Sequence, residues 1–143
     1  MREILFKAKR DGSGEWVEGY YAECKGKTFI GIGISIGIDA FKGFCTPVIR
    51  WLEVDPETLC QFTGLCDKNG NKIWENDILM AHLDESYPED TTYETVEWGV
   101  AGWVTHEADS IDRQYLDEFD LEHFEVVGNI FDNKKLLQEE SDE

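Results

Sequence analysis

The 143-residue chain reads as an all-β, mainly β protein, and three observations predict this. Period-two alternation of apolar and polar residues recurs along it, and the alternating runs are bounded by clusters of Gly, Pro, Asn and Asp. Asp67-Lys68-Asn69-Gly70 also separates two such runs in the way a hairpin turn does. A hydrophobic fraction of 41% and an aromatic fraction of 13% are enough for a folded core without disulfides or a metal.

The first strand is expected where Ile4, Phe6 and Ala8 alternate with Leu5, Lys7 and Lys9, ahead of the turn Asp11-Gly12-Ser13-Gly14. A second follows, in which Trp16, Glu18 and Tyr20 alternate with Val17, Gly19 and Tyr21. Aromatic rings fall on both of its faces, which predicts that both faces are covered. From Thr28 to Ile38, isoleucines at 30, 32, 34, 36 and 38 share one parity, while Gly31, Gly33, Ser35 and Gly37 share the other. Such a strand packs isoleucine inward and lets another backbone approach its bare side. A sharper reading places Ile32, Ile34, Ile36 and Ile38 at a subunit contact, because a long apolar edge must be covered by something. The Gly-x-Gly at its start has no P-loop lysine and no following helical pattern, so it is not read as a nucleotide loop.

Further on, Val48, Ile49 and Trp51 suggest a short strand entered through Pro47, and Asp55-Pro56-Glu57-Thr58 suggests a turn. Leu59–Leu65 and Ile73–His82 flank the Asn69-Gly70 turn, where both turn residues accept positive φ. The acidic stretch from Leu83 to Thr92, with Pro88, is expected as a surface loop. Tyr93–Trp98 and Ala101–Thr105 form another expected hairpin. Ile111, Tyr115 and Phe119 at i, i+4 and i+8 predict a short helix capped by Ser110. Phe124–Phe131 returns to strand, Lys134–Gln138 adds one helical turn, and residues 139–143 are a solvated tail. The division expected is an N-terminal β portion over 1–52, a β core over 53–137 and an acidic tail over 138–143.

The net charge of −18 is unevenly placed. Residues 1–50 carry eight Lys/Arg against six Asp/Glu, and residues 51–143 carry five against twenty-five. That field repels nucleic acid and anionic lipid, so neither direct nucleic-acid binding nor membrane binding is expected, whereas basic protein partners are favoured. The chain opens without a signal-peptide pattern and holds no spanning apolar run. Its four cysteines lie inside apolar runs with no CxxC pair, as packed, reduced thiols do, and a cytoplasmic location is expected.

The run Gln61-Phe62-Thr63-Gly64-Leu65-Cys66-Asp67-Lys68-Asn69-Gly70-Asn71-Lys72-Ile73-Trp74-Glu75-Asn76-Asp77-Ile78 closely resembles the YopX family of small phage and prophage proteins. Met1–Ala8 looks like that family's opening, Val54–Thr58 leads into the motif, and Phe124–Phe131 looks like its closing strand. Cys60, Cys66, Trp74 and Asn76 depart from the usual Gly, polar residue, Tyr and Gly. The resemblance implies an SH3-like, partly open barrel with an N-terminal β extension and one or two short helices. It also implies a phage origin in a bacterial cytoplasm, and the family has no assigned function or catalytic group. Within the motif, Gln61, Phe62, Thr63, Gly64, Asn69, Gly70, Trp74 and Asp77 are expected to be structural. Phe62 and Trp74 supply buried rings, Asn69-Gly70 the turn, and Asp77 an acceptor for backbone N–H groups.

No catalytic, cofactor or metal residues are assigned. Asp67, Glu75 and Asp77 could form a carboxylate site, but acids at turns more often hold turns. Cys60 and Cys66 with His82 have the wrong spacing for a zinc knuckle, and His106 and His123 stand alone. Glu23-Cys24-Lys25 matches a nuclease fragment of only three residues, on a chain whose charge opposes duplex DNA. The favoured function is a non-enzymatic module that self-assembles as a homo-oligomer or docks a host or phage protein. An acidic DNA mimic that inhibits a host DNA-binding protein is the alternative, and a small hydrolase or nuclease follows.

Overall fold

The computed structural model describes residues 4–39, 44–82, 91–108, 110–117 and 120–137, with backbone placement alone at 34–39, 44–47, 82 and 120. The expected all-β class is what the structure shows: eleven antiparallel strands among the described residues, with 3-10 turns in place of longer helices. Two compact units divide the chain, Met1–Gln61 and Phe62–Glu143.

In the first unit, β1 (Phe6–Lys9), β2 (Trp16–Cys24), β3 (Lys27–Asp39) and β4 (Phe44–Val54) pair in sequence order, and β1 also pairs with Cys60 and Gln61 at the start of β5 (Cys60–Cys66). Lys25 and Gly26 both have positive φ and close the two-residue β2–β3 turn, a turn geometry that matches the right-handed strand twist. Ala8, Val17, Ile30, Leu52 and Val54 are the core of this unit, with Phe6, Ile32 and Leu59 packed against them. The end of β4 returns to the end of β1. Arg10 bridges Val54, Asp11 N–H donates to the Glu53 carbonyl at 3.2 Å, and Asp55 N–H donates to the Lys9 carbonyl at 2.8 Å. Among the described residues no sheet closes into a barrel. Asp55 caps a 3-10 turn over Pro56–Thr58, as its Pro at the first position favours.

The second unit holds the rest of β5, β6 (Lys72–Trp74) and an open sheet ordered β10-β9-β8-β7-β11. Those strands are β7 (Asp77–His82), β8 (Thr91–Trp98), β9 (Trp103–Glu107), β10 (Gln114–Tyr115) and β11 (Phe124–Asn129). Its core is Ile73, Leu79, Ala81, Val96, Leu116 and Phe124, with Leu65, Trp103, Leu121 and Val126 against it. Most of the acidic loop over 83–92 lies outside the described residues.

Two local expectations are corrected. The helix capped by Ser110 does not form: Ser110 Oγ accepts from Asp112 N–H at 3.0 Å, and Gln114–Tyr115 extends as β10 along β9. The i, i+4 pair Ile111 and Tyr115 stays exposed, so no buried stripe repays helix formation, whereas pairing to β9 satisfies the backbone. The turn after β5 also differs. Only Gly70 has positive φ there, and Gly70 N–H donates to the Asp67 carbonyl at 3.0 Å, which makes a type I turn closed by Gly and not a two-residue Asn-Gly turn.

Candidate functional site

The motif that dominates the sequence is a structural assembly. Phe62 and Trp74 are buried cross-strand partners with ring centroids 5.4 Å apart. Between them and Cys66–Lys72 the register shifts at Gly64, which has φ of 88°, and Thr63 Oγ holds the bulge by donating to the Ile73 carbonyl at 2.8 Å and accepting from Leu65 N–H at 3.1 Å. The Asp67 carboxylate accepts backbone N–H bonds from Asn69 (2.9 Å), Asn71 (2.8 Å) and Val126 (2.9 Å), tying the turn to β11. Burial alone pushes this carboxyl up, but the bonds from Val126, Asn71 and Asn69 outweigh it and hold the group below its ordinary value. Asp77 is buried and accepts from Trp74 N–H at 2.8 Å. Two of the three acids considered as a site thus spend their oxygens on backbone. Gln61 and Glu75 are half-buried, and Asn69 and Gly70 are exposed at the turn.

The other candidates are dispersed. Cys60 is buried, whereas Cys24 and Cys66 are exposed, contrary to the expectation of packed thiols, because both end strands at turns. Among the described residues no group of three His, Cys, Asp or Glu side chains is placed to hold a metal ion. Glu23 hydrogen-bonds the Tyr21 phenol, raising its pKa, and Lys25 lies in the adjoining turn. On β8–β10 Glu97 bridges Arg113 and His106, the latter at 3.4 Å, beside a cleft of about 360 Å³ lined by Gly99, Val100, Val104 and Tyr115. Arg113 also donates to the Ser110 carbonyl at 3.0 Å, so the cluster ties this corner of the sheet together. His123 is exposed.

The surface that stands out is the β2–β3–β4 ribbon. Its two faces follow from parity: Tyr21, Ile30 and Leu52 are opposite one another on the core side, and Tyr20, Gly31 and Trp51 are opposite one another on the other side. The isoleucine parity therefore faces the core, with Ile30 buried and Ile32 half-buried; the side chains of Ile34, Ile36 and Ile38 lie outside the described residues. Gly19 has the parity of Val17 and Tyr21 and so lies on the core side, where an added Cβ would collide with the Gly31 carbonyl of the neighbouring strand and crowd Ile30. On the other side, a Cβ on Gly31 would lie 2.7 Å from both Ile49 Cγ2 and Trp51 Cζ3, because these side chains lie across the glycine. On this face Tyr20 remains 55% exposed, Trp51 46% and Ile49 43%. Phe6 stacks on Tyr21 at 5.2 Å on the opposite face, yet Tyr21 is also exposed, so the second strand is not covered on both faces as expected. The exposed Tyr20–Trp51 pair was not singled out from sequence. The signal was the glycine parity of β3, which bares the face on which neighbouring rings lie.

Comparison with known proteins places the chain. Solved structures include a similar one, the crystal structure of protein EF1440 from Enterococcus faecalis, with a TM-score of 0.64 at 20% identity over 96% of this chain and 100% of that chain. At that identity the likeness is one of fold. No curated protein matches. Among the described residues no helix is long and apolar enough to cross a membrane. A family model described as YopX protein matches residues 6–138, nearly the whole length, and the chain belongs to the YopX family.

Proposed function

We propose that this protein is a non-enzymatic protein-binding module that takes its partner on the glycine side of the β2–β4 ribbon. One observation carries the reading: Tyr20, Ile49 and Trp51 share one face and keep roughly half of their surfaces in water. Isolated exposed apolar residues are ordinary, but grouped large side chains on a flat β face mark contact surfaces, and Tyr and Trp are the side chains that contribute most when such a face is buried. The acids of the hairpin support the same reading, since Asp67 and Asp77 are committed to backbone bonds. A phage-encoded role in a bacterial cytoplasm fits the family resemblance.

The test is capture from cells that carry the gene, with the full chain as bait. The wild type and a Tyr115→Ser control, altered on a different exposed ring, should retain the same partner, and a Tyr20→Ser/Trp51→Ser double variant should lose it by at least about tenfold. Identical captured proteins from all three baits would remove this face from consideration.

A further inference from the structure

The outer edge of β4 carries an inference about the partner. Among the described residues, β4 is bonded to β3 along one side, and on the other only its end meets β1. In an antiparallel strand alternate residues point their N–H and C=O to opposite sides. The Glu53 carbonyl and the Asp55 N–H are turned outward, toward Asp11 and Lys9. By alternation Ile49 and Trp51 turn their N–H and C=O outward as well, and Pro47, which has no N–H, has the same parity, as prolines on edge strands do. The result is a stretch of β4, ahead of Glu53, with backbone groups and large apolar side chains presented together. That is what an added strand requires, and what natural edges usually suppress with charge.

Charge selects among strands that could add. The unit Met1–Gln61 carries eight Lys/Arg against nine Asp/Glu, whereas Phe62–Glu143 carries five against twenty-two. Two copies repel least through the first unit. Self-pairing must also keep like parity opposite, or the Trp51 face of one copy would meet the core face of the other. A two-fold axis at Arg50 would set two guanidinium groups directly opposite, which is unfavourable. An axis at Trp51 would need the outward side of Glu53, already bonded to Asp11. Axes at Val48 or Ile49 meet neither obstacle.

We propose that β4 pairs antiparallel with β4 of a second copy, about an axis at Val48 or at Ile49, joining the two ribbons into one sheet with a continuous Trp51 face. This rests on the preceding reading of the ribbon as a contact surface and names a second copy as a partner. Sedimentation equilibrium of the full chain tests it. The wild type should be dimeric at ~100 µM, in keeping with a contact of modest area. Ile49→Pro removes an outward N–H without touching a β3 bond, and Ile49→Lys adds an edge charge. Both should raise the dissociation constant by at least about tenfold while circular dichroism and thermal midpoint stay near wild type. In the dimer, the Ile49 and Trp51 amides should become protected from hydrogen exchange as concentration rises. A wild type that stays monomeric overturns self-pairing, and so does a dimer that survives both substitutions. The two readings fail separately, because capture responds to the Tyr20 and Trp51 side chains and pairing responds to the Ile49 N–H.

Discussion

Replacing Asp67 should destabilise the second unit in a way that depends on pH. Its carboxylate holds three backbone N–H groups, those of Asn69, Asn71 and Val126. Hydrogen bonds to a charged acceptor contribute about 1.5–3 kcal/mol each, but Asn69 and Asn71 are exposed, and water can replace the acceptor there. The Val126 N–H is half-buried on β11 and carries most of the penalty. Asp67→Ala should therefore cost about 3 kcal/mol, and Asp67→Asn, which keeps one oxygen, about 2 kcal/mol. The folded-state pKa lies below the unfolded value, so the carboxylate's contribution is complete above the ordinary range near pH 4 and is lost as pH falls through the folded value. Urea unfolding of wild type and both variants at a series of pH values is the assay, with hydrogen exchange at the Val126 amide as the local readout. The gap between wild type and Asp67→Asn should be flat from pH 8 to about pH 5 and shrink below pH 4. An unchanged midpoint at pH 7, or a gap as wide at pH 2 as at pH 7, would refute the reasoning.

Other substitutions follow from backbone geometry and packing. Asn76 has φ of 70°, so Asn76→Ala should lower stability by about 1–2 kcal/mol while Asn76→Gly should be far milder, read as a difference in thermal midpoint between the two. Gly31→Ala should displace Ile49 and Trp51 at a cost of about 1–3 kcal/mol, with a red-shifted tryptophan emission reporting the movement. At Gly19 the obstacle is a backbone carbonyl, so Gly19→Ala should be the more damaging of the two in chemical denaturation. Thr63→Val removes the donor to the Ile73 carbonyl and the acceptor for Leu65 N–H, and should lower the urea midpoint by the equivalent of about 1–3 kcal/mol.

The all-β class and the strands β1, β2, β3, β8, β9 and β11 were legible because their alternation is local and their turns contain Gly, Asp or Asn. The motif residues were legible too, since Phe62 and Trp74 are buried and Asp67 and Asp77 have the short side chains that turns and strand ends use. The helix expected from Ser110 failed over Ser110–Tyr115, with Phe119 outside the described residues, because three apolar residues at helical spacing carry little information when the partner strand β9 offers the alternative. The Asn69-Gly70 turn failed in detail because Asp67, two residues earlier, draws the chain into a type I turn with its own carboxylate.

Sequence by itself determined the period-two pattern, the turn chemistry, the uneven charge and the family. Each is a property of neighbouring residues or of composition, readable without knowing what pairs with what. Tertiary structure alone decided the faces and the edge. Tyr20, Gly31 and Trp51 are more than ten residues apart along the chain, and only the registers of β2 with β3 and β3 with β4 bring them opposite one another. Likewise, β4 is an edge because of strand order, and its outward N–H groups at Ile49 and Trp51 follow from how Glu53 and Asp55 bond to β1. A strand's side chains alternate by local geometry, but which side is buried and which backbone groups go unpaired depend on long-range pairing.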